Sequence, residues 1–214
     1  ASFSDKNDEI WFVTDKDNEF QRLATLNLST KKVIYYTSKI PWNVENYILS
    51  EDKKTIGFVT NEAGLNKMYL MKASDKSYAA VKNIPIGLIG GGAFTKDNQQ
   101  LFFTQSTAQT ASDVYKLNLA TGAIQRWTES ELGEMQQSDM ALPKFIEWKS
   151  FDNLKISGFY YPAAAKFIGK RPVLINIHGG PEGQSMASFL GSNNYYTNEM
   201  GVRSEERRVG KEYE

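Results

Sequence analysis

The sequence predicts a mostly β chain: a partial β-propeller of about three four-stranded blades, followed by the opening strands of a mixed α/β sheet. Two observations carry this. A pattern of turn and strand recurs three times at a period of 45 to 46 residues, and an apolar run with one polar break, PVLINI, ends in the turn His178-Gly179-Gly180-Pro181. The first is the signature of a repeat architecture with a four-stranded unit; the second reads as a buried strand leading into a glycine turn.

The repeat is visible in SDKNDEIWFV from residue 4, SEDKKTIGFV from residue 50 and TKDNQQLFFT from residue 95, whose starts lie 46 and 45 residues apart. Each copy has a small hydroxyl residue, a polar turn with an aspartate, and an alternating strand. That alternation predicts a shared buried face made by Ile10 and Phe12, Ile56 and Phe58, and Leu101 and Phe103. A second element keeps step: Leu26, Met71 and Leu117 sit at equivalent places in three further strands, each ending in a turn such as Ala120-Thr121-Gly122. Short strands follow at 33–37, 78–81 and 124–128, and leading strands are expected at 44–49 and 88–94. Four antiparallel strands per period make a blade. Three blades leave a ring open, so the expectation is either an open arc with exposed edges or further blades upstream of Ala1.

Gly90-Gly91-Gly92 has no Lys-Ser/Thr pair and helix after it, so it reads as a close backbone approach at an inner strand rather than a phosphate cradle. Trp11, Tyr35, Tyr36, Phe58, Tyr69, Phe102, Phe103, Tyr115 and Trp127 lie on predicted strands and read as core, not as a base-stacking surface.

Residues 129–143 are polar, with Glu129, Glu131, Glu134 and Asp139 and no alternation, and read as a linker after a propeller spanning 1–128. A hairpin follows, with strands at 144–149 and 154–161 around Phe151-Asp152-Asn153. The next strand is 172–177; after the glycine turn come a loop and a helix carrying Tyr195, Tyr196 and Met200, with Gly201 as its stop. The second domain runs over 144–202. Eight of the twelve residues in 203–214 are charged, which argues against a strand buried under helices. RSEERRVGKE also resembles the in-frame translation of a sequencing adapter, so 203–214 reads as a non-native tail to be set aside in fold reasoning.

Composition narrows the functions. Lys+Arg and Asp+Glu are 25 each, so no global field favours nucleic acid or an acidic membrane. With no cysteine and one histidine, disulfides, thiolate chemistry and an imidazole metal cluster are excluded, and no cofactor or metal is expected. No apolar stretch reaches the roughly 20 residues that span a bilayer, and no signal peptide is visible at the start; a soluble protein of open compartment is expected.

The propeller repeat with its Ser-x-Asp-x-x-x-Ile motif, the linker, WKSFDNLKISGFYYP and then KRPVLINIHGGPEGQ resemble the prolyl oligopeptidase family of serine peptidases, near its dipeptidyl- and acylaminoacyl-peptidase branches. The resemblance implies a propeller that restricts access to an α/β-hydrolase domain, where a Ser-Asp-His triad cleaves short peptides. By matching position it makes His178, Gly179 and Gly180 the oxyanion-hole candidates; where some members have a tyrosine donor this chain has His178, and the backbone amide of Gly180 is the main expected donor. A glycine there lets the backbone approach the substrate carbonyl closely. No catalytic triad is found: Gly183-Gln184-Ser185-Met186-Ala187 lacks the final glycine of a nucleophile elbow, and a histidine in the turn does not double as the triad base. The resemblance thus implies a fragment truncated at both ends, inactive by itself, of a peptidase. A TolB-like binding propeller and an α/β-hydrolase esterase are the alternatives.

Overall fold

The computed structural model describes residues 1–178 and 183–207. The first three sheets are consecutive antiparallel meanders consistent with propeller blades. They are β1 (Ser2–Phe3), β2 (Glu9–Thr14), β3 (Arg22–Asn27) and β4 (Val33–Tyr35); β5 (Asn43–Leu49), β6 (Thr55–Glu62), β7 (Leu65–Lys72) and β8 (Tyr78–Ala80); and β9 (Gly87–Phe94), β10 (Gln100–Thr107), β11 (Thr110–Asn118) and β12 (Ile124–Arg126).

The repeated hydroxyl and aspartate have one local job. Ser50 Oγ receives the Thr55 amide at 2.9 Å and donates to Asp52 Oδ1 at 2.6 Å, while the Lys54 amide also reaches Asp52 Oδ1 at 3.1 Å. Thr95 and Asp97 repeat the arrangement with the amides of Gln100 and Gln99, and Ser4 with Asp8 and the Glu9 amide. The turn residue Asn7, Lys53 or Asn98 has φ of 55°, 56° and 57°. A short side chain thus satisfies the first amide of the second strand of each blade, which the turn leaves without a backbone partner.

Alternation then sorts side chains between blades. Ile56 and Phe58 of β6 face the first blade and are fully buried in a cluster with Trp11, Leu23, Ile40, Val44 and Met71. Val59 points the other way, into a cluster with Met68, Ile89, Phe94, Leu101, Phe103, Tyr115 and Leu117 at the third blade. The shared buried face therefore holds for the second and third blades. In the first it is corrected: Ile10 and Phe12 are only half-buried, and Trp11 is the buried residue. Ile10 and Phe12 occupy the face that in the other two blades meets the preceding sheet, and among the described residues none lies there. Trp127 is also corrected, being 57% exposed on the opposite free face, where it meets Phe102 edge-on and lies under the Lys116 ammonium.

The glycine run is a bulge. Phe103 pairs with Gly92 and Gln105 with Ile89, so Gly90 and Gly91 stand opposite Thr104 alone. A Cβ on Gly90 would collide with the Thr104 hydroxyl, whereas Gly91 faces open space. The close approach read from sequence is present, and β5 bulges at the equivalent place, Glu45.

The fourth sheet is mixed: β13 (Lys144–Lys149), β14 (Lys155–Tyr161), β15 (Val173–Ile177) and β16 (Arg203–Arg207), in the order β13-β14-β16-β15. β15 and β16 are parallel and are joined by a crossover containing α1 (Asn194–Asn198), as a parallel pair requires. Gly201 at φ 64° ends that segment; a side chain there would press on Phe167 and the Arg171 guanidinium.

Of the residues 203–214 read as a non-native tail, Arg203–Arg207 form β16 between β14 and β15. Strand pairing uses backbone groups, and the entry to β16 is anchored by the amides of Val202 and Arg203, bonded to the carbonyls of Tyr196 and Pro172 at 2.8 and 2.9 Å; Ser204 is buried. Residues 208–214 lie outside the described residues. The expected burial of β15 is corrected. All five of its residues are exposed, because it is the edge of its sheet and its apolar faces have no helix packed over them among the described residues.

A candidate oxyanion turn beside the propeller hairpins

His178 directly follows the carboxyl end of β15 and is exposed. Gly179 and Gly180, the other two oxyanion candidates, lie outside the described residues. The chain is described again from Gly183, and there the geometry is tight: a Cβ on Gly183 would collide with the His178 imidazole. The ring therefore rests on backbone that only glycine keeps free of a side chain. Ser185, the serine of the imperfect elbow motif, is buried in the loop that follows rather than perched between a strand and a helix.

That loop runs onto the propeller. The Ala187 amide donates to the carbonyl of Gly64 at 3.3 Å, and Gly64 is at the tip of the β6–β7 hairpin with φ 85°. Ala187, Phe159, Tyr161 and Ala108 form a buried cluster with Leu65 and Leu190 against it. Tyr161 adds a bond from its hydroxyl to the Ser188 carbonyl, 3.3 Å. Two blades thus contribute hairpin tips, Gly64-Leu65 and Ala108, to one seat beneath β14 and the loop at 183–190. A further tie joins the third blade to the connecting segment, where Gln109 Nε2 donates to the Met140 carbonyl at 3.1 Å.

The tip end of the β6–β7 hairpin carries a charged knot. Glu62 accepts from Lys67 Nζ at 2.5 Å, from the Tyr69 hydroxyl at 2.7 Å and from Thr60 Oγ1 at 3.1 Å. Burial alone would raise the Glu62 carboxyl, but these three donors outweigh it and hold it below its ordinary 4.5. Burial, and then the bond to Glu62, push the Tyr69 phenol well above its ordinary 10.0. In the turns, the hydroxyls of Ser50 and Thr95 are the chief cause of the depressed carboxyls of Asp52 and Asp97. A depressed carboxyl contributes stability above its unfolded pKa and loses it as pH falls through the folded value; a raised phenol contributes it below its unfolded pKa and loses it as pH rises. Urea unfolding is expected to give a midpoint that is flat from about pH 6 to 9 and falls below about pH 4.5 and above about pH 10. Glu62→Gln is expected to flatten the acid limb, and an acid limb of unchanged steepness in that variant would refute the assignment.

Sequence reasoning found His178 and its strand but not this seat. Gly64, Ala108 and Ala187 are small residues in turns and loops, and their one legible signal is Ala63-Gly64 at a hairpin tip. Among the described residues there is no group of three or more His, Cys, Asp or Glu placed to hold a metal ion, and no helix is long and apolar enough to cross a membrane.

No protein-family model and no curated protein matches the chain. Solved structures do. A puromycin hydrolase superposes with a TM-score of 0.80 at 13% identity over 99% of this chain and 34% of its own. A prolyl endopeptidase, from work on inter-domain dynamics in catalysis and specificity, gives 0.78 at 14% over 95% and 30%. Prolyl oligopeptidase B from Galerina marginata gives 0.78 at 12% over 94% and 29%. The chain thus shares its fold with the propeller-bearing part of these enzymes and spans about a third of their length.

Proposed function

We propose that the chain is the junction between the propeller and the catalytic domain of a serine peptidase of the prolyl oligopeptidase type. In this reading residues 1–128 are propeller, 129–143 linker and 144–202 the start of an α/β-hydrolase domain acting on short peptides. The observation that carries it is the position of His178 outside the carboxyl end of β15, in a parallel pair joined through α1. In open α/β sheets the ligand crevice lies outside the carboxyl ends of such strands. The shared fold with a puromycin hydrolase and prolyl endopeptidases supports the same reading.

The chemistry follows from the turn. A serine attacking a peptide carbonyl turns its oxygen into an oxyanion, and the Gly180 amide, with Gly179 allowing close approach, donates to that oxygen more strongly than to the ground-state carbonyl. His178 packs on Gly183 and sets the start of the turn. The Ser-Asp-His triad is supplied elsewhere in the polypeptide, since the one histidine is in the turn and no Gly-x-Ser-x-Gly is present.

The test removes one N–H. In the polypeptide that carries the triad, Gly180→Pro is expected to lower kcat by about 10²- to 10³-fold with little change in KM; an unchanged kcat sinks the oxyanion assignment. The 214-residue chain is expected to resist labelling by a fluorophosphonate, and labelling at Ser185 would place the nucleophile here and overturn the reading.

A further inference from the structure

We propose that the β6–β7 hairpin of the second blade positions the His178 imidazole through the loop at 183–190, with Gly64 as the point of contact. The functional meaning of this coupling rests on the oxyanion reading above; the coupling itself does not. Its physical basis is a short chain of contacts. Gly64 meets the loop backbone to backbone: a Cβ there would lie 2.9 Å from the Ser185 carbonyl oxygen and 2.9 Å from Phe159 Cε2, closer than real Cβ atoms come. The Gly64 carbonyl holds the Ala187 amide, and the φ of 85° that aims it is one that a side chain disfavours. Two residues before Ser185, Gly183 lies directly on the His178 imidazole. Ser185 and Ala187 are buried, so a displacement at Gly64 falls on residues of the loop that are themselves packed.

The hairpin has the stiffness that such a role needs. Eight consecutive residue pairs join β6 to β7 without a bulge, Asn61 Oδ1 caps the tip by accepting the Gly64 amide at 2.9 Å, and the Glu62 knot ties the two strands together just behind that tip. A shift of the second blade therefore reaches the loop at 183–190 and, through Gly183, the imidazole. His178 and Gly64 are positioning residues in this scheme.

The single histidine gives a clean readout. In the 214-residue chain, Gly64→Ala is expected to move the His178 imidazole NMR resonances and to raise amide hydrogen exchange at 183–190 by about tenfold, while peptides from β2 and β3 exchange as before. Phe159→Leu trims the seat without altering the hairpin backbone, and is expected to move the same signals in the same direction; it decides the matter if Gly64→Ala does not fold. Unchanged His178 resonances and unchanged exchange at 183–190 in a folded variant overturn the coupling, as does faster exchange spread evenly over every sheet. Loss of the kcat effect of Gly180→Pro, with these local changes intact, removes the oxyanion role and leaves the coupling standing.

Discussion

Asp113→Ala is expected to destabilise the chain by about 3 to 5 kcal/mol. The Asp113 side chain is fully buried in β11, and its Oδ2 takes Arg126 Nη2 of β12 at 2.7 Å. Its Oδ1 takes three more donors: the Ser130 amide at 2.7 Å, Ser130 Oγ at 3.1 Å and Thr128 Oγ1 at 3.1 Å. Arg126 in turn reaches Gln137 Oε1 at 3.0 Å and the Thr128 carbonyl at 3.0 Å. One carboxylate thus clasps the last strand of the third blade to the start of the connecting segment. Alanine removes the acceptor and leaves the partly buried Ser130 amide and Arg126 guanidinium without it, which costs more than the intact pair contributes. Asp113→Asn keeps the shape and loses the charge, and is expected to fall about midway. Urea unfolding monitored by tryptophan fluorescence measures both, and a loss below about 1 kcal/mol for the alanine variant would show that the clasp is not structural.

This clasp was not legible in the sequence, and the reason is general. Asp113 and Arg126 are thirteen residues apart on different strands and belong to no repeating pattern, so only the folded register brings them together. Arg22 is a similar case: its buried guanidinium donates through Nη1 to the carbonyls of Thr37 and Ile40 in the connector between blades, yet in sequence it is one basic residue among 25. What repeats is what could be read. The Ser/Thr-Asp turn, the inward Ile56, Phe58, Leu101 and Phe103, and the glycine bulge all follow from local chemistry applied at one period. Period could not say which neighbour each face meets, and so Ile10 and Phe12 were assigned burial that only an adjacent sheet provides. Of the candidate site, the strand into His178 was legible because apolar residues and glycines are local signals. The seat at Gly64 was not, since it joins residues more than a hundred positions apart through backbone.

Charge composition does not reveal the backbone pairing of β16 for a related reason. A strand is held by amides and carbonyls whatever its side chains are, and the edge of β14 and the edge of β15 both offered such groups to Arg203–Arg207. The apolar alternation that identifies strands elsewhere measures burial of faces, not pairing of backbones.

The same distinction sets the other large effect, Phe58→Ala, expected to cost about 3 to 5 kcal/mol. Phe58 has no exposed surface. Its ring stacks on Tyr69 at 5.0 Å and 6° and meets Tyr78 edge-on at 5.6 Å, so the loss combines apolar transfer, a cavity and two aromatic contacts. The cavity cannot close by a small shift. Tyr69 is held by its bond to Glu62, and Trp11 on the facing blade is fixed by packing and by the Lys76 ammonium 4.5 Å from its ring. Phe102 is the control: it is also an aromatic strand residue, but it lies on the free face of the third blade beside the exposed Trp127, and Phe102→Ala is expected to cost about 1 kcal/mol or less. Equal losses for the two variants in urea unfolding would mean that the blades are stabilised each within itself. A difference of at least about 2 kcal/mol is what packing between blades requires, because only Phe58 of the two lies between sheets.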